Sequence, residues 1–270
     1  MIPLDWKERL QRDTEDFLLR KLPAGKFDID IIYNAYPERI DGKIPKEVIT
    51  YVSKAIAAHV AKDPASYLGF IDFLWNKKGE HGKMATGYIL QRIMRRNPSA
   101  YIDKVREYLH SARTAQEANF LLDKTVLPLL KNEPENYLDT VVKWMKVDGG
   151  EAKKAVIKQL VKLCKQDPFM LPHVFKRLEM QWLYADAEMI KVNIDFLKAI
   201  SKIDPDFYAS VYAKYVNTRN PEFVEIMAGA VMLYNPEMEQ AFENWVLSGN
   251  ARLKKAAILG RKLLLRKKKS

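Results

Sequence analysis

Residues 133–168 read EPENYLDTVVKWMKVDGGEAKKAVIKQLVKLCKQDP, and they hold one complete structural unit. Glu133-Pro134 opens it, and Asp167-Pro168 opens the next. Proline suits the first position of a helix, where its missing N–H costs nothing, and Asp or Asn suits the cap before it. Pro134 therefore starts a helix that stops at Gly149-Gly150. A second helix follows from Glu151, with Val156, Leu160, Leu163 and Cys164 on one apolar face.

The same opening recurs along the chain: Asp63-Pro64, Asn97-Pro98, Glu133-Pro134, Asp167-Pro168, Asp204-Pro205 and Asn235-Pro236. The steps between these prolines are 34, 36, 34, 37 and 31 residues. Four of the openings carry a tyrosine three residues after the proline: Tyr67, Tyr101, Tyr137 and Tyr208. Their constant phase marks them as packing positions. A period of this size signals stacked repeats, and each period has room for two helices. Tetratricopeptide repeats share the period but need small residues where their helices cross, and bulky Leu74 and Met94 occupy those places. No convincing alternating strand is present; the short run Phe27–Ile32 reads as a helix start. The expected fold is all-α, a HEAT-like helical-repeat solenoid of paired antiparallel helices.

Residues 1–62 are less regular. A helix is expected over 4–21, a loop-rich connection around a short helix over 22–46, and another helix over 46–61. This segment reads as an N-terminal cap. Residues 63–250 hold the repeats, and 251–270 form a basic C-terminal helix and tail, all within one continuous domain. Residues 264–270 read as a charged end with little apolar surface.

The composition excludes several classes. Hydrophobic residues make up 48% of 270 residues, too rich for a disordered chain. The single Cys164 rules out a disulfide framework and a cysteine-rich zinc site, and its place on an apolar helix face makes it a core residue. His59, His81, His110 and His173 show no metal-ligand spacing, and no cofactor is expected. No apolar run approaches the roughly 18–20 residues that cross a bilayer. The first residues are amphipathic and charged, unlike a signal peptide, so a cytoplasmic monomer with no membrane partner is expected. Hydrolase, kinase, dinucleotide and zinc-protease signatures are absent.

Charge is spread unevenly. The formal net charge is +11, from 45 Lys+Arg against 34 Asp+Glu. The last twenty residues hold nine of the basic residues and no acid, which leaves 36 against 34 in the rest, a net of +2. The C-terminal segment therefore reads as touching something anionic. Lys154, Lys158, Lys162 and Lys165 form a stripe on one helix, flanked by Lys153; Lys83, Arg92, Arg95 and Arg96 cluster on an earlier one. In stacked repeats equivalent helices share a face, so these residues are expected to line one phosphate-tracking groove. Trp182, Tyr184 and Phe169 sit near helix ends, where such aromatics more often fill the layer between repeats.

The stretch Leu74 to Val156 resembles the AlkD type of alkylpurine DNA glycosylase, a HEAT-like family. The landmarks are Leu74-Trp75 at a helix end, the helix MATGYILQRIM, the helix from Pro134 to Lys143-Trp144, and Lys154-Ala155-Val156. The resemblance implies a concave face that grips the backbone of double-stranded DNA. It also implies a carboxylate and two tryptophans beside the lesion. Carried over in register, the carboxylate position is Asn119, the first tryptophan falls near Ala115, the second near Asp195 or Phe196, and the DNA-binding arginine position is Lys154. Asn119 cannot supply the negative charge that an electrostatic mechanism needs. Asp123 lies one turn further along the same helix face, with Glu117 nearby, so a relocated carboxylate is the other reading. Two functions follow. One is a DNA-binding member of that group, with its groove on Lys153, Lys154, Lys158, Lys162, Arg95 and Arg96 and its chemistry, if any, at Asn119 or Asp123. The other is a HEAT-like scaffold that binds an acidic protein through the same groove.

Overall fold

The computed structural model describes residues 2–22, 25, 27–147 and 149–269. Among them every regular element is helical, and the sole bridge joins Ile40 to Lys43 around a turn. The fold is all-α, with helices packed as neighbours in the manner of a helical-repeat solenoid. Packing divides the chain into two compact units, 1–129 and 130–270.

The first unit contains α1 (Leu4–Leu18), α2 (Asp30–Asn34), α3 (Lys46–Val60), α4 (Leu68–Lys77), α5 (Gly79–Met94), α6 (Ile102–Ser111) and α7 (Ala115–Lys124). Helices α3, α5 and α7 lie side by side as one column. The segment read as a cap thus supplies, through α3, the first member of that column. A second layer pairs α4 with α6. Trp75 stacks on Tyr108 at 5.2 Å between centroids, its Nε1 donates to Ser111 at 2.8 Å, and the Tyr108 hydroxyl donates to Asp72 at 2.6 Å. Two large aromatics are thereby buried with their polar atoms satisfied. Helix α8 (Val126–Asn132) follows.

The second unit contains α9 (Pro134–Val147), α10 (Gly150–Gln166), α11 (Leu171–Glu179), α12 (Ala187–Ile203), α13 (Pro205–Lys214), α14 (Pro221–Gly229), α15 (Pro236–Val246) and α16 (Ala251–Lys268). Helices α10, α12, α14 and α16 form its column; α9, α11, α13 and α15 pack beside them. The capping logic of the prolines holds at Asp167, Asp204 and Asn235, whereas after Asp63-Pro64 and Asn97-Pro98 the α-helices begin only at Leu68 and Ile102 without a side-chain cap. Asp204 accepts from Phe207 N–H at 2.8 Å, Asn235 from Glu237 at 2.8 Å, and Asp167 from Phe169 at 3.1 Å. Asn220-Pro221 caps α14 in the same way, accepting from Phe223 at 3.2 Å.

Two expectations are corrected. Of the four phased tyrosines only Tyr208 is fully buried; Tyr67, Tyr101 and Tyr137 are half-exposed, and Tyr67 and Tyr101 lie just ahead of α4 and α6, which begin at Leu68 and Ile102. The basic C-terminus is not a loose tail. Helix α16 runs to Lys268, buries Leu264 completely, and seats the Lys268 ammonium on Glu239 at 2.8 Å and over the Tyr234 ring at 4.8 Å.

Glycine sets the closest approach in the first unit. Gly82 lies inside α5, and a Cβ there would stand 2.0 Å from the Leu74 carbonyl oxygen of α4. That atom is backbone and cannot rotate away. Gly82→Ala should therefore cost about 1–3 kcal/mol, the usual range for an overpacked contact, and lower Tm by several degrees. Gly69→Ala, where a Cβ meets nothing within 4 Å, should leave Tm unchanged or slightly raised. Thermal unfolding of the two variants beside the parent checks the pair; equal effects would contradict the contact.

Candidate nucleic-acid interface

In the second unit α10 and α12 run in the same direction. Their first turns are tied together by the Lys153 ammonium, 3.2 Å from Glu188 and 3.4 Å from Asp186, and by Gly150, which presses against the Glu188 side chain. The outer stripe of α10 carries Lys154, Lys158, Lys162 and Lys165 with Glu151; that of α12 carries Lys191, Lys198 and Lys202 with Glu188 and Asp195. Seven lysines thus face outward against three carboxylates, Glu151 and Glu188 in the first turns and Asp195 midway along α12. Lys154 is partly compensated: Glu151 sits 2.6 Å from its ammonium and, with Glu188 and Asp195 further off, raises its pKa above the ordinary lysine value. Lys158 in the middle of α10, Lys165 at its end and Lys202 near the end of α12 are exposed.

Lys153 does not belong to this stripe. It is 6% exposed and is spent on Asp186 and Glu188. Adjacent helix residues point about 100° apart, so Lys153 and Lys154 cannot share the centre of one face. Two cations of the first unit are reassigned likewise. Lys83 is nearly buried, 2.9 Å from Glu117 and 4.1 Å from the Trp75 ring centroid. Arg96 donates to the Ala61 carbonyl at 3.0 Å and so closes the C-terminal end of α3.

Arg95 does reach a cationic site. The column α3–α5–α7 encloses a cleft of about 420 Å³ lined by Lys54, Ala57, Tyr88, Gln91, Arg92, Arg95 and Lys124. Gly87 lets α5 close onto Phe120 of α7; a Cβ there would stand 2.5 Å from the Phe120 ring. Tyr88 then meets Phe120 edge-on at 6.0 Å, and the Lys124 and Lys54 ammoniums lie 4.4 Å and 5.8 Å from the Tyr88 centroid. Lys54, Tyr88 and Lys124 were not singled out from sequence. The available signal was the period itself: their steps of 34 and 36 residues equal those from Pro64 to Pro98 to Pro134.

The positions that would carry glycosylase chemistry are differently disposed. Asn119 donates from Nδ2 to the Ala115 carbonyl at 2.6 Å, and its Oδ1 is buried without a partner among the described residues. Asp123 is half-buried and already engaged. For Glu117, burial opposes ionisation, yet the Arg113 backbone N–H and the Lys83 ammonium hold its carboxyl below the usual range. Ala115 is exposed and small. In the second unit Phe196 is wholly buried, and Asp195 stands among the lysines. Neither position offers a ring to a sugar. Trp182 is buried in the core, whereas Phe169 and Tyr184 are exposed. Cys164 is buried, which pushes its thiol up to about 12. His59 pairs with the Tyr67 hydroxyl at 2.9 Å. Among the described residues no group of His, Cys, Asp and Glu is placed to hold a metal ion, and no helix is long and apolar enough to cross a membrane.

No protein-family model, curated protein or solved structure matches this chain.

The tie between α10 and α12 has a pH signature. Asp186 caps α12, accepting from the Met189 N–H at 2.7 Å; this bond lowers its pKa from 3.8, burial opposes, and Lys153 lowers it further. The folded protein therefore binds fewer protons at Asp186 than the unfolded chain, and the contribution is complete above the ordinary value and lost as pH falls through the lowered one. Asp186→Ala should cost about 1 kcal/mol near neutral pH. The gap to the parent should shrink below pH 3.8. Urea unfolding across a pH series measures it, and a gap that widens on acidification would contradict the assignment.

Proposed function

We propose that this chain binds double-stranded DNA through its phosphate backbone and excises no base. The observation that carries the reading is the pair of parallel helices α10 and α12, which present Lys154, Lys158, Lys162, Lys165, Lys191, Lys198 and Lys202 on their outer faces. At 1.5 Å per residue, Lys154 to Lys165 spans about 16 Å. Duplex DNA carries one charge per ~1.7 Å of axis, so such a face meets several phosphates at once. Contacts of this kind position a protein on the duplex without reading sequence. On the outer stripe of α10 the one apolar residue among the lysines is Val161, which is only half-exposed. An acidic protein partner would want aromatic or aliphatic anchors in that place, and this favours DNA over the scaffold reading.

The absence of excision rests on the same resemblance that suggests the group. Asn119 is neutral at every accessible pH and is hydrogen-bonded to its own helix, Ala115 is too small to cover a sugar, and Phe196 is buried. An oxocarbenium-like sugar would find no anion and no aromatic face at these positions.

Two measurements test the reading. Binding to a duplex of arbitrary sequence, followed by fluorescence anisotropy, should weaken steeply with salt. Lys158→Glu with Lys202→Glu should lower affinity at least about tenfold and flatten the log–log salt slope by about two, one per lost phosphate contact. Unchanged affinity with unchanged folding would refute the face. Incubation with duplex bearing N3- or N7-alkylated purines should release no base above the spontaneous rate. Turnover abolished by Asp123→Asn would show instead that the carboxylate has moved one helical turn.

A further inference from the structure

The cleft between α3, α5 and α7 differs from three other cationic sites of its unit. In the same unit Lys78 is held by Asp28 and Asp30, Lys83 by Glu117, and Lys104 by Asp72 and Glu107. No carboxylate lines the cleft, although four cations, Lys54, Arg92, Arg95 and Lys124, converge there. Helix ends account for part of this: Arg92 lies in the last turn of α5 and Lys124 in that of α7, where the helix dipole favours positive charge. They do not account for Lys54, which sits in the middle of α3, nor for three helices delivering charge to one place.

We propose that this cleft binds a phosphate group bearing two or more negative charges, a pyrophosphate or a phosphate monoester, and not a backbone diester. The charge count supports the distinction. A diester brings one negative charge to four cations, whereas a monoester at neutral pH carries up to two and a pyrophosphate more. The donor set supports it too. Arg92 and Arg95 offer planar forks that pair bidentately with phosphate oxygens, and Lys54 and Lys124 act as mobile point charges on either helix flanking Tyr88. Gln91 and Tyr88 add neutral donors. The volume, about 420 Å³, suits the phosphates of a small molecule or a strand terminus and is too small for a duplex. This site lies on a different unit from the lysines of α10 and α12 and does not depend on the DNA reading.

The group has two sources, a free polyphosphate or the 5′-phosphate end of a nucleic-acid strand, and calorimetry separates them. One arm titrates inorganic pyrophosphate into the full chain, with sulfate as control. The other compares a short duplex with 5′-phosphate ends against the same duplex with 5′-hydroxyl ends. Binding of pyrophosphate at least tenfold tighter than sulfate, or a tenfold preference for the phosphorylated ends, supports the site from the respective source. In either case Arg92→Gln with Arg95→Gln, both solvent-exposed and so tolerated by the fold, should abolish the preference. The pyrophosphate arm contains no DNA, which keeps failure here distinct from failure of the DNA face. No preference in either arm, equal binding of sulfate and pyrophosphate, or a preference that survives the double glutamine variant would overturn the proposal.

Discussion

Side chains about 35 residues apart meet in this protein, and its organisation depends on that single spacing. Trp75 reaches Ser111, Tyr108 reaches Asp72, Lys153 reaches Glu188, and Lys214 reaches Glu179. Each pair is one repeat apart. Stacking places equivalent positions on neighbouring helices side by side, so a feature repeated in sequence becomes a patch in space. Where the repeated feature is apolar, it makes core. Where it is basic and outward, it makes a charged face such as the one shared by α10 and α12. The approach of the helices is what gives the spacing its force, and glycines at helix crossings permit it: Gly87 against Phe120, Gly229 against Ile194 and Gly260 against Ala228.

This also explains which parts were legible in the sequence. The Asp/Asn-Pro openings have a local cause, a cap and a preset φ, and local causes can be read from local residues. Asp167, Asp204 and Asn235 cap as their chemistry requires. The tyrosine phase was misread because a constant distance from a cap fixes a direction around the helix but not a depth. The end of the C-terminal helix, residues 264–270, reads as having little apolar surface for a related reason. Leu253, Ala257, Gly260 and Leu264 form a narrow buried line beneath nine cations, and the composition of the segment hid it.

The charged face was legible in part. The spacing of Lys154, Lys158, Lys162 and Lys165 marks one stripe, and the structure keeps it together. Lys153 should have been separated by its angle alone, since it points into the buried half of α10. The cationic cleft was out of reach of any single-helix reading. Its four cations come from three helices, and none of the three supplies more than two of them. Only the period of 34 and 36 residues connects Lys54, Tyr88 and Lys124. The surroundings of Asn119 and Phe196 were not legible in the sequence: one is turned onto its own backbone and the other is core.

The central claim is that the outer faces of α10 and α12 meet the phosphates of a duplex. Lysine footprinting tests it most directly: the protein is acylated with and without duplex DNA, and each lysine is followed by mass spectrometry. Protection should fall on Lys158, Lys165, Lys191 and Lys202 together, while Lys153 stays unreactive in both states because it is buried. Full reactivity of these four lysines in the presence of saturating duplex would contradict the account.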